Sequence, residues 1–206
     1  MDENYDALGE KEVIKRQRTL SSGRNQMVSI TEHDMKTLEP GKFLNDTIID
    51  FWMCWLMRKE LPKESAVHIF STHFYTKLLN EGYESVARWT KNRGINVLEK
   101  KLVLIPINKQ NHWSLCAVIN AGYIDYGGVS ITLNGVTPVI LLLDSLRLHS
   151  VSEVSDNIRM WLNAEYSRVR KKEGSTVFNG FTIRSAYLKG KTIDLFLCQM
   201  MYCHCV

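Results

Sequence analysis

The stretches Leu102-Val-Leu-Ile-Pro-Ile107, Trp113-Ser-Leu-Cys-Ala-Val-Ile119 and Val139-Ile-Leu-Leu-Leu143 decide the fold. Each is a short, nearly unbroken apolar run rich in β-branched residues. Such runs fit strands covered on both faces better than strands with one wet face. The three are therefore expected to be neighbours in the middle of one covered sheet. Asn108-Lys-Gln-Asn111, between the first two, reads as a polar turn. Gly122 to Pro138, rich in Gly and Asn, reads as an extended hairpin or surface insertion, spanning about 120–138.

Helical periodicity surrounds these strands. Ahead of them, Leu38-Glu-Pro-Gly41 forms a turn, after which Asn45 or Asp46 can cap a helix carrying Ile48, Ile49, Phe51, Trp52, Trp55 and Leu56 and ending before Pro62. Val67-His-Ile-Phe70 reads as a strand, and Phe74, Tyr75, Leu78 and Leu79 follow at helical spacing. After the strands, Val154, Ile158, Trp161, Leu162 and Tyr166 mark a further helix, and a polar stretch begins at Lys171. Residues 1–27 mix charge with Ser and Gly and read as a flexible lead-in, with one domain from 28 to 206. Trp52, Trp55 and Trp161 are expected in the core, and Cys54 and Cys116 as buried, inert thiols.

Composition narrows the class. Apolar residues make up 45% and charged residues 23% of the 206, the balance of a globular domain. No apolar run is long enough to cross a bilayer, and the first residues lack the apolar core of a secretory signal, so an intracellular location is expected. The net charge of +4 is spread among acids and calls for no nucleic acid. Five cysteines, three of them within the last nine residues, suggest free thiols rather than a disulfide framework. A zinc site at Cys198, Cys203, His204 and Cys205 would match no standard ligand spacing and is the weaker reading, so no metal or cofactor is expected.

Two residues are placed for chemistry. His112 stands where the polar turn hands over to a strand, at a rim where an imidazole can act as general base. Asp144 follows five aliphatic residues and must emerge at an edge or find a partner, because a carboxylate buried alone costs several kcal/mol. If their strands are adjacent, Asp144 can fix the tautomer of His112 while the other ring nitrogen faces a nucleophile.

From Thr37 onward the sequence resembles the ubiquitin-like-protein protease family, the Ulp-type and sentrin-specific cysteine proteases that cleave SUMO and related modifiers. The resemblance rests on Phe43-Leu-Asn-Asp-Thr-Ile-Ile-Asp-Phe51, Phe70-Ser-Thr-His-Phe-Tyr75, Arg88-Trp-Thr90, Ile105-Pro-Ile-Asn108, His112-Trp-Ser-Leu115 and Leu143-Asp-Ser-Leu146, which occur in the family's order. It implies an α+β, papain-like fold with a mixed central sheet. It also implies a Cys, His, Asp triad with His112 as base and Asp144 as its orienting acid, and a Gln donating to the oxyanion. Phe43 and Trp113 would wall a tunnel that admits only a Gly-Gly tail, and Asp46 would grip the modifier unless it merely caps its helix.

In the family the Gln stands six positions before the nucleophile, a spacing that Gln199 and Cys205 repeat. His204 and Val206 occupy the flanks where the family has Asp and Gly, so the expectation is a C-terminally incomplete domain of impaired activity. The expected function is cleavage after the C-terminal Gly-Gly of a ubiquitin-like modifier, with SUMO ahead of NEDD8 and ubiquitin. The alternatives are a SUMO-binding pseudo-protease or truncated product and, more remotely, an acyltransferase on the same scaffold. A monomer in the nucleus or cytoplasm, with SUMO and its conjugates as partners, completes the expectation.

Overall fold

A computed structural model describes residues 14–19, 25–59, 66–121, 138–169 and 182–186. Strands β1 (Ile14–Thr19) and β2 (Asn25–Ile30) pair antiparallel, Ile14 opposite Ile30. Helices α1 (Glu32–Lys36) and α2 (Asp46–Lys59) follow, then β3 (Val67–Ile69), α3 (His73–Glu81) and α4 (Tyr83–Lys91). Next come β4 (Leu102–Lys109), β5 (His112–Ile119), β6 (Val139–Leu143), α5 (Val151–Val169) and β7 (Thr182–Ala186). Strands β3 to β7 form one mixed sheet in sequential order, with β3 parallel to β4, β7 parallel to β6, and the β4, β5 and β6 pairs antiparallel.

The central strands alternate between two apolar layers, as period-two side chains must. Val103, Ile105 and Ile107 of β4, Cys116 and Val118 of β5, and Ile140 and Leu142 of β6 pack with Phe74, Val86, Ile158 and Trp161. Leu104, Trp113, Leu115, Ala117 and Leu143 pack on the other face with Ile48, Ile49, Met53 and Leu56 of α2. A sheet covered by α3, α4 and α5 on one side and α2 on the other explains why its strands read as unbroken apolar runs. Pro106 is tolerated because β3 stops opposite Leu104, leaving that flank of β4 without a strand neighbour among the described residues.

Several expectations are amended. β1 and the start of β2 lie inside the stretch read as a flexible lead-in, where the two strands pair. β7 lies in the stretch read as merely polar; Thr-Ile-Arg-Ser-Ala carries no apolar run, and β7 is the last strand of the sheet among the described residues. α4 went unread as a helix because only Val86, Ala87 and Thr90 of it are buried. Trp161 is in the core, whereas Trp52 and Trp55 stack on each other at 4.9 Å and are only partly buried. Cys116 is fully buried and its thiol is pushed up to about 12 by that burial, while Cys54 is half-buried. The insertion expected at about 120–138 lies outside the described residues but for its edges.

Candidate active site

The site grows from the turn between β4 and β5. Gln110 and Asn111 both adopt left-handed backbone, φ 56° and 59°, the geometry of a two-residue type I′ hairpin that matches strand twist. It makes His112 the first residue of β5, opposite Lys109. Asp144 directly follows β6, one residue beyond the Leu115 and Leu143 pair. The register thus carries the carboxylate to the imidazole, and His112 Nε2 lies 2.6 Å from Asp144 Oδ1. Both side chains are buried, His112 more deeply than a rim position suggests.

Asp144 is held by more than the histidine. Its Oδ1 also accepts from the backbone N–H groups of Leu146 and Arg147 at 3.1 and 3.0 Å, and its Oδ2 from that of His149 at 2.8 Å. Burial is the largest influence on this carboxyl and works upward. The N–H of His149 and the His112 ring outweigh it, so the group is held below the usual carboxylate range. An ionised carboxylate only accepts, so His112 donates from Nε2, which leaves Nδ1 as the nitrogen that can take a proton from a nucleophile in the neutral ring.

The first motif is built by a relay of caps. Thr31 and Asp34 form a capping box on α1: Thr31 Oγ1 accepts from the Asp34 N–H, and the Thr31 N–H donates to Asp34 Oδ2 at 2.8 Å. Asp34 Oδ1 then accepts from Asn45 Nδ2 at 2.6 Å, and Asn45 Oδ1 accepts from the Ile48 N–H at 3.1 Å, so Asn45 caps α2. Between these ends, Pro40 and Gly41 turn the chain, Gly41 at φ 79°, and the Lys42 N–H donates to the Glu39 carbonyl. With Asn45 as cap, the capping role considered for Asp46 is taken, and Asp46 stands partly exposed in the first turn of α2.

Trp113 joins the two halves. Its Nε1 donates to the Leu44 carbonyl at 2.9 Å, fixing the segment that presents Phe43, whose side chain is 73% exposed. The structure thereby brings together His112, Asp144, Trp113 and the Phe43 segment. Gln199 and Cys205, and the cysteines of the zinc reading, lie outside the described residues. His149, close to Asp144 in sequence but given no catalytic role on sequence grounds, sits against the His112 ring with centroids 5.1 Å apart. The signal that could have found it is its place five residues after Asp144, within reach of the carboxylate's own loop. A cavity of about 500 Å³ between α2, β3 and α4, lined by Asp50, His68, Arg88, Trp89 and Arg93 among others, does not include the His112 and Asp144 pair.

A buried imidazole with one nitrogen held by a carboxylate, on a mixed sheet between helices, is an arrangement that can serve as the base half of a papain-like nucleophilic site. The comparisons with known proteins agree with that class. Residues 42–187 match the Ulp1 protease family, C-terminal catalytic domain, and the chain belongs to this family. It is 43% identical over 90 residues to sentrin-specific protease 2 of Homo sapiens, covering 43% of this chain and 15% of that protein. It is 35% identical over 130 residues to ubiquitin-like-specific protease 1 of Saccharomyces cerevisiae, covering 61% of this chain and 20% of that one. The crystal structure of a de-sumoylating protease superposes with a TM-score of 0.64 at 27% identity, covering 88% of this chain and 68% of that one. The yeast Ulp1 protease domain in complex with Smt3, the yeast ortholog of SUMO, gives a TM-score of 0.56 at 26% identity, covering 90% and 76%.

Proposed function

We propose that this chain is a cysteine peptidase that cleaves after the C-terminal Gly-Gly of a ubiquitin-like modifier, SUMO in the first instance. The observation that carries the reading is the 2.6 Å contact between His112 Nε2 and Asp144 Oδ1, beside a Trp113 that anchors the Phe43 segment. The family and the Smt3 complex of its structural relative support the choice of modifier.

In the proposed reaction His112 Nδ1 takes the thiol proton of Cys205, and the thiolate attacks the carbonyl carbon of the terminal glycine. The oxyanion is held by Gln199. Collapse expels the amine of the downstream residue, which leaves with the proton from His112. Water, deprotonated by the same histidine, then hydrolyses the thioester and frees the modifier's carboxylate. Phe43 and Trp113 flank the path of the tail, and Asp46 faces the modifier. The reaction needs no metal or organic cofactor. By the habit of the family, the enzyme acts as a monomer in the nucleus or cytoplasm on SUMO precursors or conjugates. No helix among the described residues is long and apolar enough to cross a membrane.

The test is incubation of the chain with a SUMO bearing an electrophilic C-terminal trap, beside Cys205→Ser and His112→Ala. An adduct on a denaturing gel that both variants abolish is the expected result. A folded chain that binds SUMO yet forms no adduct would overturn the peptidase reading in favour of a modifier-binding one.

A further inference from the structure

His149 takes no part in the proposed reaction, yet it is buried and built into the ground beneath it. Its Nε2 lies 3.1 Å from the Lys109 carbonyl, which only accepts, so that nitrogen carries the proton. Its Nδ1 is then the acceptor of the Ser114 hydroxyl, 2.6 Å away. These two anchors are not arbitrary places. Lys109 is the cross-strand partner of His112, and Ser114 stands two residues after it, on the same face of β5. The side chain of His149 is therefore tied to the strand ends on both sides of the imidazole, and its ring abuts that imidazole at 62°.

The backbone of the same residue works on the other partner. Its N–H donates to Asp144 Oδ2 and closes the loop in which Leu146 and Arg147 hold Oδ1. That loop includes Arg147 at φ 57°, left-handed backbone that a residue with a Cβ adopts only when its surroundings hold it there. The Asp144 carboxylate grips the loop from inside, and the His149 ring pins its far end to β4 and β5. We propose that His149 is the positioning residue of the pair: through Lys109 and Ser114 it fixes the Asp144 loop against β5, and so sets the distance and orientation between the Asp144 carboxylate and the His112 ring. The clamp is a property of the fold; only its catalytic consequence rests on the peptidase reading.

The test uses the full chain with isotopically labelled histidine and reads the Nε2–H proton of His112 by NMR, assigned by its loss in His112→Ala. In the wild type that proton, buried and bonded to a carboxylate, is expected as a slowly exchanging downfield signal. His149→Ala should broaden it or speed its exchange at least tenfold, while the amide fingerprint stays folded. His149→Gln, whose amide N–H can still donate to the Lys109 carbonyl, should restore much of it. Ser114→Ala removes one tie only, should give an intermediate effect, and decides the matter if His149→Ala does not fold. A His112 signal unchanged in folded His149→Ala, or in Ser114→Ala where that is the folded variant, overturns the proposal. The rate of trap adduct formation should fall on the order of 10²-fold in His149→Ala with SUMO affinity unchanged, the cost of a misplaced base. If the wild type forms no adduct but its His112 signal responds as described, the peptidase reading fails and the positioning role stands.

Discussion

His68 should make the fold labile to mild acid. It lies in β3, is 2% exposed, and its ring meets Phe70 edge-on at 4.5 Å. Burial, and after it the charges of Lys100 and Arg93, push its imidazole from 6.5 down to about 4. A histidine held below its unfolded value stays neutral in the folded state while the unfolded chain takes up a proton. Stability is therefore full above pH 6.5 and falls as pH drops toward 4. From those two values the loss at pH 5 is about 2 kcal/mol, and about 3 kcal/mol once both states are protonated, against a usual total of roughly 5 to 15 kcal/mol. Asp34 and Asp144, both held below the ordinary carboxylate range, contribute only at lower pH, and comparison with a His68 variant separates this histidine from the others. Urea unfolding at pH 7.5 and pH 5, for the wild type and His68→Leu, measures it. The wild type should lose about 2 kcal/mol more than the variant across that step. Equal losses in the two proteins would refute the reasoning.

Three further outcomes follow from the geometry. Asp144→Asn keeps the shape but presents an amide that can no longer hold the Nε2 proton of His112 as an ionised carboxylate does; trap reactivity should fall about 10²- to 10⁴-fold with SUMO affinity unchanged, as gel kinetics and calorimetry would read. Glu165 is fully buried and accepts from Tyr83, Thr90 and Arg168, so Glu165→Leu strands three donors and should cost about 3 to 5 kcal/mol by chemical denaturation; a loss under about 1 kcal/mol would contradict the network. Asn45→Ala removes the cap of α2 and the partner of Asp34 together, and should lower stability by about 1 to 2 kcal/mol while weakening SUMO binding measured by titration, because the Phe43 segment loses its mooring.

The parts legible in the sequence were those whose chemistry is local. The aliphatic runs of β4, β5 and β6 announced a sheet covered on both faces, and an acid after five aliphatic residues announced that Asp144 would either emerge at an edge or find a partner. The polar turn at 108–111 announced that His112 would stand at the handover to a strand, which the structure begins at His112 itself. β1, Ile-Lys-Arg-Gln-Arg-Thr, escaped because its mostly polar sequence shows no apolar alternation, and what marks it as a strand is its pairing with β2. α4 escaped for a similar reason, with few residues turned inward. The cap relay from Asp34 to Asn45 spans a turn, and the contacts of His149 run to strands far from it in sequence, so neither leaves a periodic trace.

β5 shows why so short a motif holds so much of the site. Successive side chains of a strand point to opposite faces. His112 and Ser114 therefore share the face of Cys116 and Val118, where the Asp144 loop and His149 meet them. Trp113 points the other way, into the layer of α2, where its indole reaches the Leu44 carbonyl. The carboxylate-bound imidazole, the clamp anchor and the brace of the Phe43 segment are thus three consecutive residues separated by the pleat alone. A slip of one residue between β4 and β5 would turn the imidazole toward α2 and the indole toward the carboxylate. What forbids the slip is the length of the turn: two residues, both in left-handed backbone, leave Lys109 and His112 a single way to pair. The hairpin turn, whose two residues are not themselves part of the pair, fixes which ring the carboxylate meets.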